Sequence, residues 1–252
     1  MEPSFFCDPL TKAPLSKSGD ALVNPETGHR YGTRDGIPIF LEEVTGLNRK
    51  YQSMYDRLSY GYDFAERAYK WIVRKPDLRS DYIKELEIEP GARVLEVSVG
   101  TGANIPYLRQ DAEFYGLDLS WGMLRQCART LKKLRRQGVL CQGEAEHLPF
   151  PSAAFDCVFH VGGINFFNDK ASAITEMIRV ARPGTKIVIV DETEQVITGD
   201  YRMNPFTRKY FEGAPESAAV CPIGLVPPEM REIEAHGVGG GKLYCLTFRT
   251  PL

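Results

Sequence analysis

The chain has 252 residues, 43% of them hydrophobic, and a formal net charge of -2. That is ample for a real core, as one large domain or one domain with an appendage. The charge balance disfavours a nucleic-acid or acidic-membrane partner, and no apolar run approaches the length of a membrane span.

Six cysteines, Cys7, Cys127, Cys141, Cys157, Cys221 and Cys245, form no CxxC pair, and several lie in apolar runs as small core residues do. The opening MEPSFFCDPL lacks the basic segment and apolar core of a signal peptide, so a reducing, cytoplasmic setting is expected. Over residues 1–43, short strand-like runs alternate with the turn signals Asn24-Pro25, Thr27-Gly28 and Asp35-Gly36, which predicts a small β module. Residues 44–252 read as the main domain. In its first part, 44–90, Tyr51, Tyr55 and Leu58, then Phe64, Ala68, Trp71 and Ile72, recur at helical spacing and predict a helical cap. Its aromatics either wall a ligand or pack against a sheet.

A βαβ alternation comes next. Strands are expected at Arg93 to Val97, Glu113 to Leu117, Gly138 to Cys141, Cys157 to Val161 and Lys186 to Val190. Helices are expected near Ala103 to Arg109, at Trp121 to Gln137 and at Ala171 to Ala181. This is the pattern of a doubly wound α/β sheet. Residues 196–230 contain Pro205, Pro215, Pro222, Pro227 and Pro228 without a sustained period, which suits a lid or a subunit contact and leaves a homo-oligomer open. Glu232 to Ala235 and Lys242 to Arg249, joined across HGVGGG, read as a closing hairpin.

The densest signal is Val94 to Leu108, VLEVSVGTGANIPYL, where an apolar strand meets an acid, a glycine pair and a helix start. Gly100 and Gly102 permit positive φ and close backbone approach, and a helix after them would aim free N–H groups at a ligand. Asp118 ends the next apolar run about 20 residues on, where an acid can hold ribose hydroxyls.

Residues 91–192 resemble the class I methyltransferases that use S-adenosylmethionine. LEVSVGTG matches the first family motif and GLDLSWGML the second. GEAEHLPFPSAAFDCV matches the acidic loop in the form common to small-molecule methyltransferases, including those acting on menaquinone and ubiquinone precursors. Ser98 stands where the family usually has its first glycine, so the turn must accept a side chain whose hydroxyl could reach the cofactor. The resemblance implies a Rossmann-like, doubly wound seven-stranded sheet with a C-terminal antiparallel hairpin, plus the N-terminal β module and helical cap. HRYGTRDGIPIFLEE is similar to the tail of small zinc ribbons that precede or activate some methyltransferases. Only Cys7 remains of the usual cysteine pairs, so no metal is expected.

The same resemblance implies S-adenosylmethionine as cofactor and a small-molecule substrate. Glu96 would interact with the methionine end, or stabilise the turn. Ser98, Gly100 and Gly102 would line the cofactor, Asp118 would accept the ribose hydroxyls, and Leu119 and Met123 would pack beside the adenine. Glu144 would receive the adenine amino group, with the Ala145 N–H near a ring nitrogen. The backbone at Val161 and Gly162 would accept the methionine ammonium. His160 is the candidate general base and Asp191 a candidate for orienting a substrate hydroxyl, with a core histidine and a strand-ending acid as the alternatives. Tyr55, Tyr62, Asn165 and Phe166 would wall an aromatic or apolar acceptor. Two other functions fit parts of this pattern. One is a nicotinamide-dependent oxidoreductase, disfavoured because no third glycine falls near Asn104 to Tyr107. The other is a cofactor-binding regulatory or scaffold protein.

Overall fold

A computed structural model describes residues 2–58, 78–196 and 220–252. Among them, four N-terminal strands, β1 (Glu2–Cys7), β2 (Pro14–Ser18), β3 (Ala21–Val23) and β4 (Arg30–Tyr31), form an antiparallel sheet in that order. β5 (Thr33–Arg34) and β6 (Ile37–Pro38) form a short hairpin. Helix α1 spans Gly46–Leu58 and α2 spans Arg79–Ile83.

The main sheet comprises β7 (Arg93–Val97), β8 (Glu113–Asp118), β9 (Val139–Gln142), β10 (Cys157–Val161), β11 (Lys186–Glu192), β12 (Arg231–Val238) and β13 (Leu243–Arg249). Their order is β12-β13-β11-β10-β7-β8-β9. The five strands β11 to β9 run parallel, and β13 and β12 close the sheet antiparallel. Helices α3 (Trp121–Leu134) and α4 (Lys170–Val180) connect parallel strands. No helix among the described residues is long and apolar enough to cross a membrane.

The pleat divides the core in two. Leu95, Val97, Tyr115, Leu117, Val158, Ile187 and Ile189 face one apolar cluster, and Val94, Phe114, Cys157, Phe159, Val188 and Val190 face the other. Successive side chains of a strand point to opposite faces, so strands covered on both sides read as continuous apolar runs. The N-terminal strands and α4 cover the first face, and α2 and α3 the second.

Two expectations are corrected here. The helix expected near Ala103 to Arg109 is a single 3-10 turn, Ile105–Tyr107, with Leu108 already extended. Pro106 supplies no N–H and restricts the residue before it, which leaves room for one tight turn only. Helix α3 stops at Leu134 rather than Gln137, because Arg135 adopts φ 53° and its N–H bonds back to the Leu131 and Lys132 carbonyls.

The N-terminal sheet is organised around Asp8. Its Oδ1 accepts the Leu10 and Thr11 N–H groups at 2.9 Å each, and its Oδ2 accepts Asn24 Nδ2 at 2.8 Å and the Tyr31 hydroxyl at 3.0 Å. Those bonds hold its pKa down at about 2 against the opposing effect of burial. Among the described residues no group of three or more His, Cys, Asp or Glu side chains is arranged to hold a metal ion.

Candidate functional site

Parallel strands deliver their carboxyl ends to one edge, and β10, β7, β8 and β9 lie side by side there. Ligands of open α/β sheets bind at this edge. The loop after β7 turns sharply, with Ser98 at φ 61°, Gly100 at 55° and Gly102 at 76°. Gly102 is needed for space as well, since an added Cβ would lie 2.7 Å from Ile105 Cδ1 and 3.0 Å from Cys127 Sγ. Because only a 3-10 turn comes after it, the cradle is made of loop backbone and not of a helix N-terminus.

Asp118 closes this loop on β8. Its Oδ2 accepts the Gly100 N–H at 2.7 Å and its Oδ1 accepts the Ser120 N–H at 2.8 Å. Burial pushes its pKa up to about 6, with those N–H groups pulling the other way. Each oxygen retains a lone pair for a further donor. Leu119 beside it is half-buried, and Met123, buried, sits in the first turn of α3.

Glu96 is 1% exposed. Its Oε1 accepts Asn104 Nδ2 at 2.6 Å, and Asn104 Oδ1 in turn accepts the Tyr82 hydroxyl at 2.9 Å. Its Oε2 is buried without a hydrogen-bond partner. Burial pushes the Glu96 pKa up to about 8, with the Asn104 bond opposing, the neighbouring Asp118 adding to the rise and the Arg79 charge reducing it. A buried acid with an orphaned oxygen suits a cationic or hydrogen-bond-donating ligand group.

Glu144 lies two residues after β9. Its Oε1 accepts Asn48 Nδ2 at 2.9 Å, and the same amide reaches Glu146 Oε1 at 3.1 Å. Ala145 is buried beside it. Asn48 belongs to a polar stripe on α1 that sequence reasoning missed. One helical face carries Asn48, which bonds Glu144, and Gln52, whose Nε2 donates to the Leu119 carbonyl at 3.1 Å. Four residues further on, Asp56 Oδ1 accepts the Gly122 N–H at 2.9 Å and the Ser120 hydroxyl. Helix α1 therefore packs along the loops that leave β8 and β9. The available signal was this i, i+4, i+8 spacing, which also describes an ordinary solvated face.

On the other side, Val161 ends β10 and Gly162 follows it, exposed at φ 77°. Phe166 is buried against Tyr51, ring centroids 4.4 Å apart, while Tyr55 is half-buried on α1. Tyr62 lies outside the described residues, as do Phe64, Ala68, Trp71 and Ile72 of the expected cap and most of the 196–230 segment.

Three expected roles do not suit what the structure shows. His160 is 0% exposed, its Nδ1 lies 2.9 Å from the Val97 carbonyl, and its Nε2 accepts the Ile164 N–H at 2.9 Å. Burial lowers its pKa to about 4. A neutral ring with both nitrogens engaged ties two strand ends together and has no lone pair left to take a substrate proton. Asp191, 2% exposed, is committed to the turn: its Oδ2 accepts the Gly163 and Asn165 N–H groups at 3.0 Å each, and its Oδ1 the Glu192 N–H. Asn165 is 2% exposed, donates to the Glu192 carbonyl and accepts the Tyr244 hydroxyl, so it braces the turn and presents nothing to an acceptor.

Residues 95–189 match the family described as a methyltransferase domain. A demethylmenaquinone methyltransferase of Anoxybacillus flavithermus is 31% identical over 163 residues, 63% of this chain and 65% of that protein. The chain thus spans just under two thirds of that relative's length. The uncharacterized methyltransferase YdaC of Bacillus subtilis is 30% identical over 131 residues, 50% of this chain and 71% of that protein. In fold, the chain is similar to a SAM-dependent methyltransferase from Aquifex aeolicus, with a TM-score of 0.55 at 19% identity, over 68% of this chain and 88% of the other.

Proposed function

Because the chain belongs to the class I S-adenosylmethionine-dependent methyltransferases, we propose that it transfers a methyl group from S-adenosylmethionine to a small aromatic or apolar acceptor by in-line displacement. The observation that carries this reading is the placing of Glu96, Asp118 and Glu144 at the ends of three adjacent strands around one left-handed loop. Each acid suits a different part of the cofactor. Glu96, with its unpartnered oxygen, takes the methionine end. Asp118 has lone pairs left for ribose hydroxyls, and Glu144, steadied by Asn48, takes the adenine amino group. Ser98, Gly100 and Gly102 bring backbone against it, Leu119, Met123 and Ala145 flank the base, and Val161 and Gly162 border the methionine group.

When bound, the sulfonium supplies an activated methyl whose positive charge is discharged on transfer. The protein's part is alignment, since holding donor and acceptor in line accounts for a large share of such an acceleration. His160 and Asp191 contribute by fixing the turn after β10, and not by moving a proton. Phe166, packed on Tyr51, and the half-buried Tyr55 would supply aromatic surface to the acceptor. The named activity of the Anoxybacillus relative makes a reduced, demethylated naphthoquinone the first acceptor to try. The test is incubation with methyl-labelled S-adenosylmethionine and such quinols, and then mass spectrometry. A labelled product is expected. Absence of transfer to quinols and to other small aromatic acceptors, by chain that binds the cofactor, would overturn the proposal.

A further inference from the structure

The loop after β9 is held at both ends by residues far earlier in the chain. At its start, the Phe40 N–H donates to the Gln142 carbonyl at 2.8 Å, and Ile39 forms a parallel bridge with Gln142. At its end, the Cys7 N–H donates to the Pro149 carbonyl at 3.0 Å. Between those anchors lie Glu144 and Ala145. β9 is the last strand of the main sheet on that side, and such an edge leaves backbone groups open to pairing. The N-terminal segment occupies this edge.

Side chains lock the same contact. Phe6 packs at 5.5 Å from Phe150 and 5.2 Å from Phe40, and Phe5 lies 5.0 Å from Tyr115. Glu176 on α4 joins the two parts electrostatically: its Oε2 accepts Lys12 Nζ at 2.7 Å and the Leu148 N–H at 2.8 Å. Lys12 is placed by the Asp8 turn, since its N–H donates to the Asp8 carbonyl at 2.9 Å. A continuous chain of contacts therefore runs from the Asp8 hub, through Lys12 and Glu176, to the end of the acidic loop.

Building on the methyltransferase reading, we infer that residues 2–40 act as a built-in clamp that preorganises the nucleobase-reading loop 143–148, so that cofactor affinity depends on a segment that does not touch the cofactor. A loop ordered before binding does not have to lose its conformational freedom on binding, and that saving appears as affinity. Glu144 needs this help because its loop leaves an edge strand four residues long, and its side chain is steadied from α1 by Asn48. Lys12 and Asp8 are positioning residues on this account.

The test uses the full-length chain carrying Lys12→Met, which removes the bridge to Glu176, and Asp8→Ala, which opens the hub. Hydrogen exchange of ligand-free protein is monitored over residues 143–150 and, as an internal control, over β10. Calorimetry with S-adenosylhomocysteine gives Kd. Both variants are expected to speed exchange in the loop but not in β10, and to raise Kd by about three- to tenfold while kcat at saturating cofactor stays within about twofold of wild type. A purely structural role would speed exchange in both places or lower kcat. Unchanged loop exchange in folded Lys12→Met, or faster exchange with unchanged Kd, overturns the inference, and Lys12→Met decides alone if Asp8→Ala does not fold. Should wild-type chain itself not bind S-adenosylhomocysteine, the methyltransferase reading fails, and loop exchange alone then decides whether the clamp exists.

Discussion

Replacing Glu96 with glutamine should make the ligand-free protein more stable and its cofactor complex weaker. The acid is 1% exposed with one oxygen unpartnered, and burial raises its pKa to about 8 from 4.5. A raised carboxyl is neutral in the folded chain and ionised in the unfolded one between those two values. Its stabilising contribution is therefore complete below pH 4.5 and is lost as pH rises towards 8. At pH 7 the deficit is about 3 kcal/mol, from 1.36 kcal/mol per pKa unit. Glutamine has no charge to lose, and its carbonyl can still accept Asn104 Nδ2, so Glu96→Gln should recover much of that deficit.

Binding should move the other way. A hydrogen bond to a charged group contributes about 1.5–3 kcal/mol, part of which ionising Glu96 consumes below pH 8. Glu96→Gln is then expected to weaken S-adenosylhomocysteine by about fivefold at pH 7 and by about 10- to 150-fold above pH 8. Denaturant titration measures the first effect and calorimetry the second. Calorimetry in buffers of different ionisation enthalpy should also show about one proton released per wild-type complex at pH 7, and none for the variant. A variant no more stable than wild type at pH 7, with unchanged affinity, would refute the account of Glu96.

His160→Ala strands the Val97 carbonyl and the Ile164 N–H, and should cost about 2–5 kcal/mol of stability by denaturant titration, while kcat per folded molecule falls less than about tenfold. A larger fall in kcat with little loss of stability would restore the histidine as a base. With a folded pKa of about 4 against 6.5 unfolded, His160 contributes stability that is complete above pH 6.5 and lost as pH falls towards 4, and the alanine variant should lack that acid-side decline. Gly46→Ala puts a Cβ 2.5 Å from Asn168 Oδ1 at φ 58°, so it should lower Tm by about 3–8 °C and loosen α1, and an unchanged Tm would count against that geometry.

The parallel core was legible because strands buried on both faces, such as Cys157 to Phe159 and Ile187 to Val190, are apolar without interruption. The acids Glu96, Asp118 and Glu144 were legible because each falls at the end of such a run. Other features were hidden for definite reasons. His160 and Asp191 sit at strand ends as reactive groups do, but whether backbone N–H groups claim them depends on the turn at Gly163 to Asn165, which a sequence does not display. Pro106 was a visible warning against a full helix after the glycines, outweighed by the expected βαβ pattern. The face Asn48, Gln52 and Asp56 was masked because polar residues four apart look the same whether they meet water or a loop. The Asp8 hub joins residues up to 23 positions apart, beyond the reach of local spacing.

If the edge formed by β7, β8 and β9 is a cofactor cradle, calorimetric titration of the folded chain with S-adenosylhomocysteine should reveal it. One equivalent is expected to bind, with Asp118→Ala weakening the complex by about 1–3 kcal/mol. No detectable heat up to millimolar ligand, or equal affinity in the Asp118 variant, would contradict it.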